Sequence, residues 1–323
     1  MAHPMTNVLL LLLATFGSAV FRQGDAGPIR IHFAPPDGTR FVRTTTIERG
    51  LVLENDIDPE VETMRIQHEF TWRRTSRGYA LTMSPLRDAQ LSAMERKLPG
   101  LASLMLQNDF VINYDVDGNF QAISGLDRAL DAVRKNMPQE LKSITGQGLP
   151  ALKQGFEQLW TDRFALARLT RDTPVFVGKP WGGNTRAPFG ALGMLNFTAG
   201  GRVYGWDVFN GKRCLVVETK AITEDPALAG IAGLVDQAIR EMVSGMPLTR
   251  AQERTVVTGI TSQTAKLRLK SVTEESTRAI DPATYLTCKE QTTRILAFDW
   301  IENGVVQDAG KTAEMYTLDY AYR

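Results

Sequence analysis

Histidine is nearly missing from this chain. Three occur in 323 residues, and beyond the first 26 only His32 and His68 remain. Both sit in strand-like stretches, so a histidine-based zinc site or a Ser-His-Asp triad has few parts to draw on. Charge imbalance is missing too. Lys+Arg 37 against Asp+Glu 36 leaves a net charge of +1, which gives no electrostatic footprint for nucleic acid. There is no G-x-S-x-G elbow, no S-x-x-K and no G-x-G-x-x-G after a strand, which removes the common signatures of serine hydrolases and dinucleotide enzymes. Gly178-Lys179 in "VGKPW" lacks the upstream glycine and following Ser/Thr of a phosphate loop. No catalytic residue, metal ligand or cofactor is implied. Carboxylates are plentiful, however, and a converging pair is the one hydrolase arrangement that sequence leaves open.

Long apolar runs are also scarce. The single one, "NVLLLLLATFGSAVF", holds roughly 14 apolar or small residues, where a membrane span needs about 20. It fits the apolar region of a signal peptide, with small residues at Gly17 and Ala19, or Gly24 and Ala26, for cleavage. The preceding "MAHPMT" has no Lys or Arg, which keeps an uncleaved anchor as the alternative. Residues 1–26 are thus read as a signal peptide and the product as periplasmic or secreted. Any membrane contact is then peripheral.

Cysteine is limited to Cys214 and Cys288, in the β-branched stretches "KRCLVVETK" and "TYLTCKEQTTRI". An exported chain makes a disulfide the expected state, with two separate buried thiols as the alternative. The remainder is ordinary globular material, with 43% hydrophobic and 23% charged residues.

What is present reads as an α+β protein, mainly of antiparallel sheet. In residues 27–125, "PIRIHFAP", "TRFVRTTTIERGLVLE", "VETMRIQHEFTWRR" and "GYALTMSPL" are rich in Thr, Val, Ile and aromatics and are parted by turn signals. Arg73, Arg74 and Arg77 fall at an expected hairpin tip, where a solvated turn is the simpler reading than a phosphate site. "NYDVDGNFQAISG" resembles a calcium loop in Asp115, Asp117 and Asn119. Counted from Asp115, however, Phe120 and Leu126 stand where that loop needs Gly and a bidentate Glu. A hairpin is expected instead, with Val116 opposite Phe120 and Tyr114 opposite Ala122.

Residues 126–170 form a helical middle. Ser124 and Asp127 resemble a capping box before Leu126, Leu130, Val133 and Met137. A second stripe runs through Leu152, Phe156, Leu159, Trp160 and Phe164. Residues 171–323 return to strands, "LGMLNFTAGGRVYGW", "KRCLVVETKAI", "RTVVTGI", "TAKLRLKSVT", "STRAI", "YLTCKEQTTRILAFDW" and "KTAEMYTLDYAYR". They enclose one amphipathic helix expected over 226–244, with Asp225 as N-cap and Gly245 and Pro247 as the stop.

Several of these motifs carry a resemblance. "YDVDGNFQAISGLD", "DTPVFVGKPW", "VFNGKRCLVVE" and "AIDPATYLTCKEQTTRI" are similar to stretches in exported bacterial β-rich proteins of uncharacterised families. The last also looks like a turn in the lipoprotein-carrier superfamily. That likeness implies curved, half-barrel-like sheets wrapped around covering helices and an apolar cavity. The function it implies is non-catalytic binding of a lipid or other apolar molecule, or of an envelope protein. Phe156, Trp160, Phe164, Met242 and Val243, on the expected covers, are the candidate ligand-binding residues. Aromatic and Met side chains also fill ordinary cores, so a closed structural or interaction module is the competing class.

Overall fold

A computed structural model describes residues 27–52, 61–86, 109–136, 174–188, 194–230, 266–302 and 305–323. It also describes shorter stretches within 153–167, and positions 252 and 258. The expected signal peptide and Met242 and Val243 lie outside the described structure; of the strand expected over 254–260 only Thr258 is described, and it is helical.

The strands are β1 (Arg40–Val52), β2 (Val61–Thr75), β3 (Gly78–Pro85), β4 (Phe110–Asp115), β5 (Phe120–Ser124), β6 (Pro180–Pro188), β7 (Met194–Phe209), β8 (Lys212–Thr223), β9 (Leu267–Ile280), β10 (Thr287–Glu302) and β11 (Val305–Tyr322). They form one open antiparallel sheet in the order β5-β4-β3-β2-β1-β11-β10-β9-β8-β7-β6. The chain starts at the centre, meanders to the β5 edge, crosses to the β6 edge and meanders back. Its last strand therefore pairs with its first, Phe41 opposite Tyr322 and Val52 opposite Lys311. The β regions on either side of the helical middle thus share a single ladder.

Alternation sorts the side chains by face. Phe41, Arg43, Thr45 and Ile47 of β1 share the inner face with Phe70, His68, Ile66 and Met64 of β2, and with Tyr322, Tyr320, Leu318 and Tyr316 of β11. On β10 and β9 the same face carries Glu290 and Arg278. The main core lies here, joining buried residues from β1 to β4, β7 to β9, the turn before β10, and β11.

The sheet must curl to achieve this. Phe164 of the crossover touches Tyr114 on β4 at 4.9 Å and Tyr285, just before β10, at 5.1 Å between ring centroids. In a flat sheet, five strand spacings separate β4 from β10, about 24 Å. One phenyl ring cannot bridge that span. The curl brings both halves of the sheet around the crossover.

Helix α1 (Leu126–Asn136) opens the crossover and buries Leu126, Ala129 and Leu130. Asp127 in its first turn and Arg134 and Lys135 in its last suit the helix dipole. Trp160 lies in the last turn of a helical stretch over 156–161, and Trp160, Phe164 and Ala167 are buried in the main core. Leu159, expected on the same apolar stripe, is 59% exposed. It neighbours Trp160 in sequence and so points to another side of the helix.

Three expectations need correction. "PIRIHFAP" has the alternation of a strand but joins no ladder; only Ile29 bridges, to Val175. It is an extended strap that drives Ile29, Ile31 and Phe33 into the core, where Phe33 meets Trp72, Tyr79, Tyr114 and Phe164. The Asp117 hairpin forms, but Tyr114 pairs with Phe120 and Asn113 with Ala122 across a bulge, leaving Val116 64% exposed. The cause is Asp115: its carboxylate accepts the Asp117 and Asn119 N–H groups at 2.9 Å each and the Asn119 side-chain amide at 2.7 Å. These contacts tighten the turn by drawing Asp115 into its base. The helix expected over 226–244 begins as a 3-10 turn, Pro226–Gly230. Asp225 caps it through the Ala227 N–H at 2.9 Å, and the remainder lies outside the described residues.

At the β2–β3 hairpin Arg73, Arg74 and Arg77 are exposed, with the Arg74 N–H donating to Asp37. Gly78 follows at φ +145, with the Tyr114 carbonyl oxygen 2.2 Å from where a Cβ would stand. Only glycine suits that approach.

Candidate functional site

The inner face carries charge at two places: Arg294 pairs with Glu274 at 2.8 Å beside Glu314 toward the far end of β9–β11, and nearer the crossover polar groups from five parts of the chain meet. Glu290 stands on β10 beside Arg278 of β9, and its neighbour across β11 is Leu318. Arg163 arrives from the end of the crossover. Arg43 enters from β1, opposite Tyr320 of β11. The Glu290 carboxylate is paired by Arg163 at 2.6 Å and by Arg278 at 2.8 Å, and accepts the Tyr320 hydroxyl at 3.2 Å. Arg163 also donates to the Tyr320 hydroxyl, and Arg278 donates to the Arg163 carbonyl at 2.9 Å. The network therefore bolts the crossover onto the sheet.

Burial would raise the Glu290 carboxyl pKa, but the Arg163 and Arg278 guanidiniums outweigh it and hold it far below the usual range. Such a carboxylate has no proton to give and little appetite for one, so it suits neither half of an acid–base pair. Burial lifts the Tyr285 and Tyr320 phenols above their ordinary values, which keeps both as hydrogen-bond donors. Arg43 differs from the other two arginines. Burial lowers its pKa and Arg163 adds to this, while Tyr320 and Glu290 offset it only in part. Its guanidinium lies over the Phe70 ring at 4.7 Å and near Trp160 at 5.9 Å.

A cavity of about 30 Å³ opens at this cluster, lined in part by Arg43, Arg163, Trp160, Phe164, Tyr285 and Tyr320. The Nε of Arg43 and the Nε1 of Trp160 are shut off from solvent with no hydrogen-bond partner among the described residues. A larger cavity of about 380 Å³ lies on the outer face beside Cys288, between Val42, Thr44, Phe209, Lys289 and Asp319. Lys289 and Asp319 stand opposite each other there, as neighbouring charges do on a solvated sheet.

Of the expected ligand-binding residues, Trp160 and Phe164 come together on the wall of the inner cavity. Phe156 is half-buried and packs its ring against Phe110 at 5.5 Å. Met242 and Val243 fall outside the described residues. The sequence reading missed Arg43, Arg163, Arg278 and Glu290. The available signal was Glu290 itself, an acid within a Thr-rich strand whose alternation places it on the core face. The expected disulfide is present: Cys214 of β8 is bonded to Cys288 across β9.

Among the described residues no three His, Cys, Asp or Glu side chains gather as a metal group. No described helix is long and apolar enough to cross a membrane. No family model and no curated protein matches the chain, so no family match accompanies the likeness to exported bacterial proteins or lipoprotein carriers. Among solved structures it is similar to lipovitellin, in a structure concerned with lipid–protein interactions. The TM-score is 0.44 at 10% identity, over 90% of this chain. The chain spans only 26% of that protein.

Proposed function

We propose that this chain is an exported, non-catalytic protein that holds an apolar ligand or lipid against the inner face of its curled sheet. The observation that supports this most is the gradient of burial along that face. Where the crossover is bolted down, Phe70, His68, Trp72, Leu318 and Tyr320 are closed from solvent. Farther along the same face, Ile47, Met64 and Tyr316 stay half-buried beside the Arg294–Glu274 pair, and Leu296 and Phe298 pack against a second buried cluster that includes Leu228. Open sheets normally cover such a surface or use it, and concave, mostly apolar surfaces are where small apolar ligands bind. The Cys214–Cys288 bond supports export, because disulfides persist in oxidising compartments.

Each methylene buried would contribute about 0.8 kcal/mol, so a long acyl chain binds mainly through its length. Titrating the native protein with a fluorescent fatty acid is expected to give saturable binding at both low and high salt, because an apolar contact is not screened. No saturable binding in either buffer, with no lipid in an organic extract of the purified protein, would leave the inner face as plain core.

A further inference from the structure

We infer that the inner cavity is a receptor for the carboxylate head of an acyl chain, with Arg43 as the residue that reads it. This rests on the apolar-ligand reading above and names the ligand's chemical class. Three observations converge on it.

The first is a charge count. Arg43, Arg163 and Arg278 meet around Glu290, their one carboxylate partner among the described residues. Three guanidiniums against one carboxylate leave an excess of two positive charges among the described residues of the cluster. Charges in such surroundings are normally paired, because desolvating them costs several kcal/mol each. Glu290 is already taken by Arg163 and Arg278. Arg43 is left with the Tyr320 hydroxyl and two aromatic rings.

The second is the kind of group left over. Arg43 Nε–H and Trp160 Nε1–H, both on cavity-lining residues, are donors without an acceptor among the described residues. The Tyr285 hydroxyl, on the same wall, is a third such atom. An ordered water could meet these groups; the surplus positive charge beside them favours an acceptor that carries negative charge.

The third is size and position. About 30 Å³ suits one small group and not an acyl chain. The half-buried strip begins one inward-facing position beyond Leu318, at Tyr316 on β11, and Ile47 follows Thr45 on β1. The cavity wall ends at Arg43 and Tyr320, so a chain whose carboxylate sits in the cavity reaches the strip only by displacing the buried Leu318 and Ile66 between them.

The test compares laurate, dodecanol and acetate on the native protein and on Arg43→Gln by calorimetric titration. Laurate is expected to bind the native protein roughly tenfold to a hundredfold more tightly than dodecanol, the range for a charge-assisted hydrogen bond. Arg43→Gln should bring the two within about threefold while dodecanol binding holds. Acetate at equal concentration should not displace laurate. Equal binding of laurate and dodecanol by the native protein overturns the carboxylate receptor and leaves the apolar site standing. That comparison needs no variant, so a misfolded Arg43→Gln cannot obscure it. Displacement by acetate makes the cavity a site for free small anions and also overturns it. If neither chain binds, both readings fall.

Discussion

Glu290→Gln is expected to lower the stability of the folded chain by about 3–5 kcal/mol, the range for removing one partner of a buried ion pair. Glutamine keeps the shape and loses the charge, so Arg163 and Arg278 would face each other without the carboxylate they bracket at 2.6 and 2.8 Å. The Tyr320 hydroxyl would lose the charge on its acceptor as well. Chemical unfolding of native and variant protein gives the difference directly. The pH dependence has a defined sign. The folded pKa of Glu290 is depressed. Its contribution is therefore complete above the unfolded carboxyl value of about 4.3 and is lost as pH falls through the folded value. Native and variant stabilities should thus converge in acid and stay apart at neutral pH. A difference under about 1 kcal/mol at neutral pH would mean the crossover is held by its aromatic contacts alone.

Replacing both cysteines, Cys214→Ser with Cys288→Ser, is expected to cost about 4 kcal/mol in the chain-entropy relation. The bond closes a separation of 74 residues, and its sulfurs lie on the outer face against Val216, Ala279 and Phe209. Removing it frees the unfolded chain and leaves those neighbours without a partner of the right shape. Because it spans β9, it also ties two strands that share no ladder. The expected readout is a lower unfolding midpoint for the double variant, matched by the native protein under reducing conditions. Unchanged midpoints would show that the strand ladders alone set the stability.

Strand identity was largely legible because Thr, Val and aromatic residues alternate along β1, β2 and β3. Harder cases had physical reasons. β9 reads as two pieces, since Glu274 and Glu275 interrupt it. The folded sheet supplies the missing counter-charges, Arg294 to Glu274 at 2.8 Å and Lys220 to Glu275 at 2.6 Å, so one strand runs through both acids. β6, with a proline at each end and two glycines, reads as a loop; it survives as a strand because it lies at the edge of the sheet. The strap at 28–35 shows the opposite failure, a strand pattern spent on filling the core. Of the Arg–Glu cluster only Glu290, an acid on the core-facing alternation of its strand, was legible. Arg43, Arg163, Arg278 and Glu290 lie far apart in sequence, and only the pairing of the last strand with the first, together with the curl, brings them together.

Photo-crosslinking with a diazirine-bearing fatty acid tests inner-face binding most directly. The reagent reports contact by residue, and alternation puts the two faces on neighbouring positions. Labels should fall on Met64, Tyr316, Leu296 and Ile47 and disappear when unlabelled laurate is added. Labelling of outward-facing neighbours such as Arg65, Thr317 and Ile295 instead, or labelling that laurate does not reduce, would contradict a ligand held against the inner face.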